Sequence, residues 1–216
     1  MGETMDLVEA LKSFNRKERF WLIRNALGPA SETLDEAFRR RLQQAVGVEV
    51  PATAWWAMDY HLDWLVGALT MLARGDAAFA SHPNDHRLVC GNQEDMDLVV
   101  AFDRTLVLIE AKGDTAWSNE QFQGKVKRLE GLQAAGLMPS PLRLFFVLTS
   151  PRPPVGLVPK EGTRWSPWMC DDHERPLFFP LEMPTEFWKV TRWDDERQQP
   201  SFAGTRWKIV PSRGSA

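Results

Sequence analysis

Tyrosine is nearly missing from this chain, with one residue against ten tryptophans, and cysteine is limited to two. Cys90 and Cys170 are far apart and in no metal-ligand spacing. That excludes a disulfide framework and fits free thiols in a reducing compartment. Neither sign of charge dominates: 26 basic and 29 acidic residues leave a net charge of −3. A globally basic surface is thereby excluded, and any phosphate-binding region must be a local cluster of Lys and Arg. No uninterrupted apolar run is long enough to cross a membrane. Met1-Gly-Glu-Thr-Met-Asp6 lacks the basic and apolar regions of a secretory signal. A cytoplasmic protein without a membrane partner is the expectation. There is also no internal repeat and no low-complexity tract.

What remains is an ordinary globular composition, 44% hydrophobic and 25% charged over 216 residues. It suits one domain with a sizeable core. Residues 1–54 read as a helical extension. Asn15-Arg-Lys-Glu18 resembles a capping box, opening a helix that stops at Gly28-Pro29. Leu34, Ala37, Phe38, Leu42 and Ala45 keep helical spacing up to Gly47, with Arg39-Arg-Arg41 partly on the opposite, solvated face. A further helix is expected over 55–74, with Met58, Leu62, Leu65, Leu69 and Leu72 as its apolar stripe. On it Asp59 and Asp63, four residues apart, share one side. Residues 75–93 read as loop. A helix beginning at Ser118 and ending near Gly136 buries Phe122, Val126, Leu129 and Leu132, with Gln121, Lys125 and Arg128 on a neighbouring polar stripe. Arg143–Thr149 is a buried strand. Residues 151–185 are rich in Pro and aromatics with little periodicity, and two more strands are expected at Phe187–Trp193 and Thr205–Val210. Trp117, Trp165, Trp168 and Trp207 lie outside the apolar runs. Buried structural use is expected for most of them, with base stacking the alternative for one or two.

The densest chemistry lies in Asp95–Lys112. Two apolar segments, Leu98–Phe102 and Leu106–Ile109, flank a polar break at Asp103-Arg104 that reads as a hairpin turn. With those two residues as the loop, facing residues have numbers that add to 207, so Asp97 faces Glu110. Opposed residues of an antiparallel pair have Cβ atoms roughly 4.5–5.5 Å apart. Side chains alternate along a strand, so Lys112 joins Glu110 on one face. Two carboxylates held opposite one another call for a cation, and a hard divalent ion such as Mg²⁺ suits oxygen ligands. Glu110-Ala-Lys112 is the one acidic-x-Lys of the chain, and it falls where a β-run ends. A hairpin followed by a crossover helix and another strand implies a mixed sheet. The near-continuous apolar runs imply burial on both of its faces.

In these residues the chain resembles the PD-(D/E)xK nuclease superfamily, over roughly 55–150. The pattern comprises an acid on a first helix (Asp59 or Asp63) and an Asp starting one strand (Asp97). The (D/E)-x-K at Glu110-Ala-Lys112 follows, and then a helix carrying Gln121 and Lys125. Gln93-Glu-Asp-Met-Asp-Leu-Val-Val100 also looks like the E-x-D-L strand entry of the junction-resolvase-like branches. Met96 stands where the name motif has Pro. The resemblance implies a restriction-endonuclease-like α/β fold, a three-layer core with a mixed central sheet between helices; the residue patterns add the N-terminal helices before it and a C-terminal β-hairpin in 151–216 after it. It implies an Mg²⁺- or Mn²⁺-dependent nuclease acting on DNA, and it allows a homodimer. Asp97, Glu110 and the Ala111 carbonyl would hold the metal, Lys112 would orient or activate water, and Lys125 and Arg128 would meet phosphates. A catalytically silent module of the same fold, binding nucleic acid or protein, is the alternative.

Overall fold

The structure, a computed structural model, describes residues 6–15, 17–85, 87–91, 94–113, 117, 119–159, 164–184 and 186–213; the side chains of 119–121, 186, 187, 212 and 213 are outside that description. Three helices come first: α1 (Leu7–Phe14), α2 (Glu18–Leu27) and α3 (Glu36–Val46). Asp6 caps α1 by accepting from the Val8 and Glu9 amides, and Asp35 caps α3 through Ala37 and Phe38. The capping box expected at Asn15 does not form. Asn15 is the C-terminal cap of α1, and α2 starts after Lys17 with no side-chain cap.

Five strands build the main sheet: β1 (Trp55–His61), β2 (Asp95–Phe102), β3 (Thr105–Ala111), β4 (Arg143–Ser150) and β5 (Phe178–Pro180), in that spatial order. The first two pairings are antiparallel and the last two parallel. Between them lie α4 (Leu62–Arg74) and α5 (Asn119–Ala134). The sheet is therefore mixed, as the hairpin-helix-strand order requires, with α5 as the crossover from β3 to β4. Residues Val99, Ala101, Leu106, Leu108, Leu144 and Phe146 pack on one face with α1, α4 and α5; Val100, Val107, Ile109 and Val147 pack on the other with Leu42 and Val46 of α3. Helices flank both faces, and both are buried.

The expected helix over 55–74 is corrected in its first half. Trp55–His61 is a strand and the helix starts at Leu62. Aromatic residues favour a pleated, half-buried surface, and the pairing with β2 overrides the helical spacing of Met58 and Leu62. Asp59 and Asp63 consequently share no helix side. The segment 151–185 adds a strand that its proline content conceals: β5 extends the sheet beside Leu148–Ser150. Near the C-terminus, β6 (Glu186–Asp194), β7 (Gln199–Pro200) and β8 (Arg206–Arg213) form a separate small antiparallel sheet in the order β7-β6-β8. No described helix is long and apolar enough to cross a membrane.

Candidate functional site

The site grows out of the β2–β3 hairpin. Its turn residue Asp103 has φ +48°, the left-handed region that a two-residue hairpin loop demands and that Asp tolerates. The register runs from Phe102↔Thr105 to Leu98↔Ile109, each pair adding to 207. Beyond Leu98 the two strands part. The Ala111 amide, which would otherwise meet a strand carbonyl, donates to Asp97 Oδ2 at 2.7 Å. This bond holds the Asp97 carboxylate at the end of β3, beside Glu110.

Glu110 is on the face that α5 covers, with its side chain only 12% exposed. Its Oε2 accepts from Lys125 Nζ at 2.5 Å, and the same ammonium donates to the Asp95 carbonyl at 2.6 Å. Burial pushes the Glu110 carboxyl above its ordinary range; the Lys125 charge opposes this, the Asp97 charge adds to it, and Lys112 opposes it in turn. Asp97, Glu110 and Lys112 thus lie within electrostatic reach of one another. The backbone of Lys112 is fixed by its amide donating to the Thr149 carbonyl at 2.9 Å.

The two acids assigned to a first helix fare differently from the expectation. Asp63 sits in the first turn of α4 and accepts from the Cys90 and Gly91 amides and from Arg128. Burial raises its carboxyl, but those donors outweigh burial and hold it below the usual range. It fastens the 88–91 loop to α4 and α5. Asp59 is on β1, between the register pairs Met58↔Leu98 and Tyr60↔Met96, so its backbone lies opposite Asp97. Its φ is +48°, and its carboxylate pairs with Arg19 at 2.9 Å.

Lys125 and Arg128 are interior rather than solvated. Arg128 bridges Asp63 and Glu94, with the Glu94 contact at 2.9 Å, and its side chain is 12% exposed. Their positive charge is balanced in place by carboxylates. The side chain of Gln121 falls outside the described residues.

Three residues not singled out by the sequence reading complete the surroundings. Asp95 lies 2.9 Å from Lys17 Nζ and 2.7 Å from His61 Nδ1. Lys17 and Arg19 come from the N-terminal helical region, which therefore reaches the site. Asp95, two residues before Asp97, was within view of the motif; Lys17 and His61 carry no sequence signal for this placement. Of the tryptophans, Trp117 donates to Ser150 Oγ at 3.0 Å, Trp165 and Trp168 pack against the core, and Trp207 is 70% exposed.

The expected metal ligands fit a hard cation. Asp97, Glu110 and the Ala111 carbonyl offer oxygen alone. Glu110 is a buried carboxylate whose ionised form needs an adjacent positive charge, a need that Lys125 and Lys112 meet in part. Among the described residues no three His, Cys, Asp or Glu side chains gather as an ion cage; the expected set has two carboxylates and a peptide oxygen. The chain matches no protein-family model, no curated protein and no solved structure.

Proposed function

We propose that the chain is a metal-dependent nuclease of the PD-(D/E)xK type, with a restriction-endonuclease-like core. One observation carries the reading. The Asp97 carboxylate bonds the Ala111 amide and so stands beside the largely buried Glu110 carboxylate at the open end of the β2–β3 hairpin. The antiparallel β2–β3 pair, the α5 crossover and the parallel β4 form a mixed sheet flanked by helices, which supports the reading.

In this reading Asp97, Glu110 and the Ala111 carbonyl hold Mg²⁺ or Mn²⁺. Such an ion would supply Lewis acidity, activating water at neutral pH and neutralising charge on the phosphate. Lys112 orients the attacking water and stabilises charge that develops on the phosphate. Lys125 holds the Glu110 carboxylate in place by donating to its Oε2. DNA is the proposed substrate. Asp59 stands in for the first acid of the pattern, since its backbone adjoins Asp97; Asp63 is committed to Arg128 and the 88–91 loop.

The second reading, a silent module of this fold, is favoured by the Lys125–Glu110 contact, in which a lysine already takes a cation's place. Incubating the protein with single- and double-stranded DNA and RNA, with and without Mg²⁺ or Mn²⁺, separates the two. The nuclease reading expects cleavage that needs the metal and disappears in Asp97→Asn and Glu110→Gln. Cleavage that survives Glu110→Gln at the original rate rules out this site. Mn²⁺ binding without cleavage of any of the four substrates supports the silent module.

A further inference from the structure

The small C-terminal sheet has two unlike faces. Side chains directly opposite in an antiparallel pair share a face, and the faces alternate along each strand. The β6–β8 register pairs Trp188↔Pro211, Val190↔Ile209 and Arg192↔Trp207, so these six residues form one face. All six are exposed: Trp188 75%, Val190 69%, Trp207 70% and Ile209 55%, with Arg192 and Pro211 in the same class. On the other face Thr191, Trp193 and Val210 are partly covered, and the Lys208 ammonium lies 4.2 Å from the Trp193 ring centre.

The exposed apolar face is large. A tryptophan side chain presents up to about 250 Å², so the two tryptophans, Val190 and Ile209 together offer on the order of 500 Å². An apolar patch of this size is among the largest that a monomer exposes, and such patches are often functional. Two such faces brought together would bury roughly 1,000 Å², about the least that a specific interface buries.

We infer that this face is a self-association surface on which a second copy of the chain packs sheet to sheet. Its layout is self-complementary. Val190 and Ile209 form the centre, the two tryptophans occupy one diagonal, and Arg192 and Pro211 occupy the other. A two-fold axis in the sheet plane, either along or across the strands, sets each tryptophan against the partner copy's Arg192 or Pro211 rather than against a tryptophan. Large thus meets small or cationic, as an isologous contact requires. Association by the sheet edges is disfavoured, because Pro200 lies in edge strand β7 and Pro211 in edge strand β8. Nucleic acid suits this face less well. Among the described side chains it carries one cation, Arg192, whose guanidinium donates to the Phe202 carbonyl, and the adjoining turn holds Asp194, Asp195 and Glu196.

Sedimentation velocity on the 216-residue chain over a range of concentrations tests this. The expected species has twice the 24.7 kDa chain mass. Val190→Lys puts two ammonium groups into the apolar centre and should weaken the dimer at least about 100-fold. Lys189→Glu, on the other face, should leave it intact, with circular dichroism checking that both variants fold. A wild-type chain that remains a monomer at every concentration overturns the proposal without reference to any variant. So does a dimer that resists Val190→Lys in a folded protein. If a single-stranded oligonucleotide quenches the tryptophan fluorescence and Trp188→Leu/Trp207→Leu removes that quenching, the face is a base-stacking platform and the proposal falls.

Discussion

Lys125→Met is the most searching perturbation of the site. The Lys125 and Glu110 side chains are 14% and 12% exposed, so removing the ammonium leaves a nearly buried carboxylate without its closest countercharge. Breaking a buried pair in this way costs about 3–5 kcal/mol, and the residual exposure favours the lower end. For a domain of this size, about 3 kcal/mol lowers Tm by roughly 6–12 °C. The loss should depend on pH with a definite sign. The Glu110 carboxyl is already raised by burial, and Lys125 is the largest influence opposing that rise. Without Lys125 it rises further. Between the ordinary carboxylate pKa and this higher folded value, the folded state keeps a proton that the unfolded state has released, so stability falls as pH rises through that window. The variant should therefore be hurt most near neutral and alkaline pH. Well below the ordinary pKa the deficit shrinks to that of a lost hydrogen bond, about 1 kcal/mol. Thermal unfolding followed by circular dichroism at about pH 4 and about pH 8 reads both numbers, and Glu110→Gln/Lys125→Met should recover much of the loss. A deficit equal at the two pH values, or a shift below about 2 °C at the higher one, would refute the reasoning.

Lys112→Ala should spare Mn²⁺ affinity and abolish turnover, whereas Asp97→Asn and Glu110→Gln should weaken Mn²⁺ binding; calorimetry beside a cleavage assay separates the two. Asp63→Asn should destabilise by about 1–3 kcal/mol at neutral pH. Because the folded Asp63 carboxyl is held low, its contribution is present above the ordinary carboxylate pKa and vanishes as pH falls through the folded value. The variant and the parent should then converge in acid unfolding curves. Gly67→Ala would place a Cβ 2.6 Å from two Phe14 ring carbons, at the contact between α1 and α4. Overpacking there should cost about 1–3 kcal/mol, measured by urea unfolding, with the slope m unchanged.

The β2–β3 hairpin was legible because a period-two pattern flanks a two-residue break, and such a loop fixes the register arithmetically. Asp97 and Glu110 could be brought together on that ground alone. β1 was illegible because Met58, Leu62 and Leu65 continue a helical spacing across the strand-to-helix junction. Only the β2 edge, supplied by distant sequence, decides for the strand. The same distance hid Lys17 and His61, whose contacts with Asp95 depend on how α2 and β1 dock rather than on any local pattern. β5 escaped notice because three residues amid prolines carry no alternation. In contrast, the Lys125 stripe was visible, but its burial was not: helical periodicity shows which residues share a side of α5, and the sheet decides what that side meets.

The bond from the Ala111 amide to the Asp97 carboxylate makes one backbone proton an indicator of the whole site. In most of the sheet an amide resonance reports strand pairing. At Ala111 it reports the electron density on a side-chain oxygen. Anything that draws charge from Asp97, whether a proton or a divalent ion on its other oxygen, weakens that bond and moves the Ala111 cross-peak. A single assigned amide can therefore be followed through a Mg²⁺ titration in a diamagnetic spectrum, without substrate and without turnover.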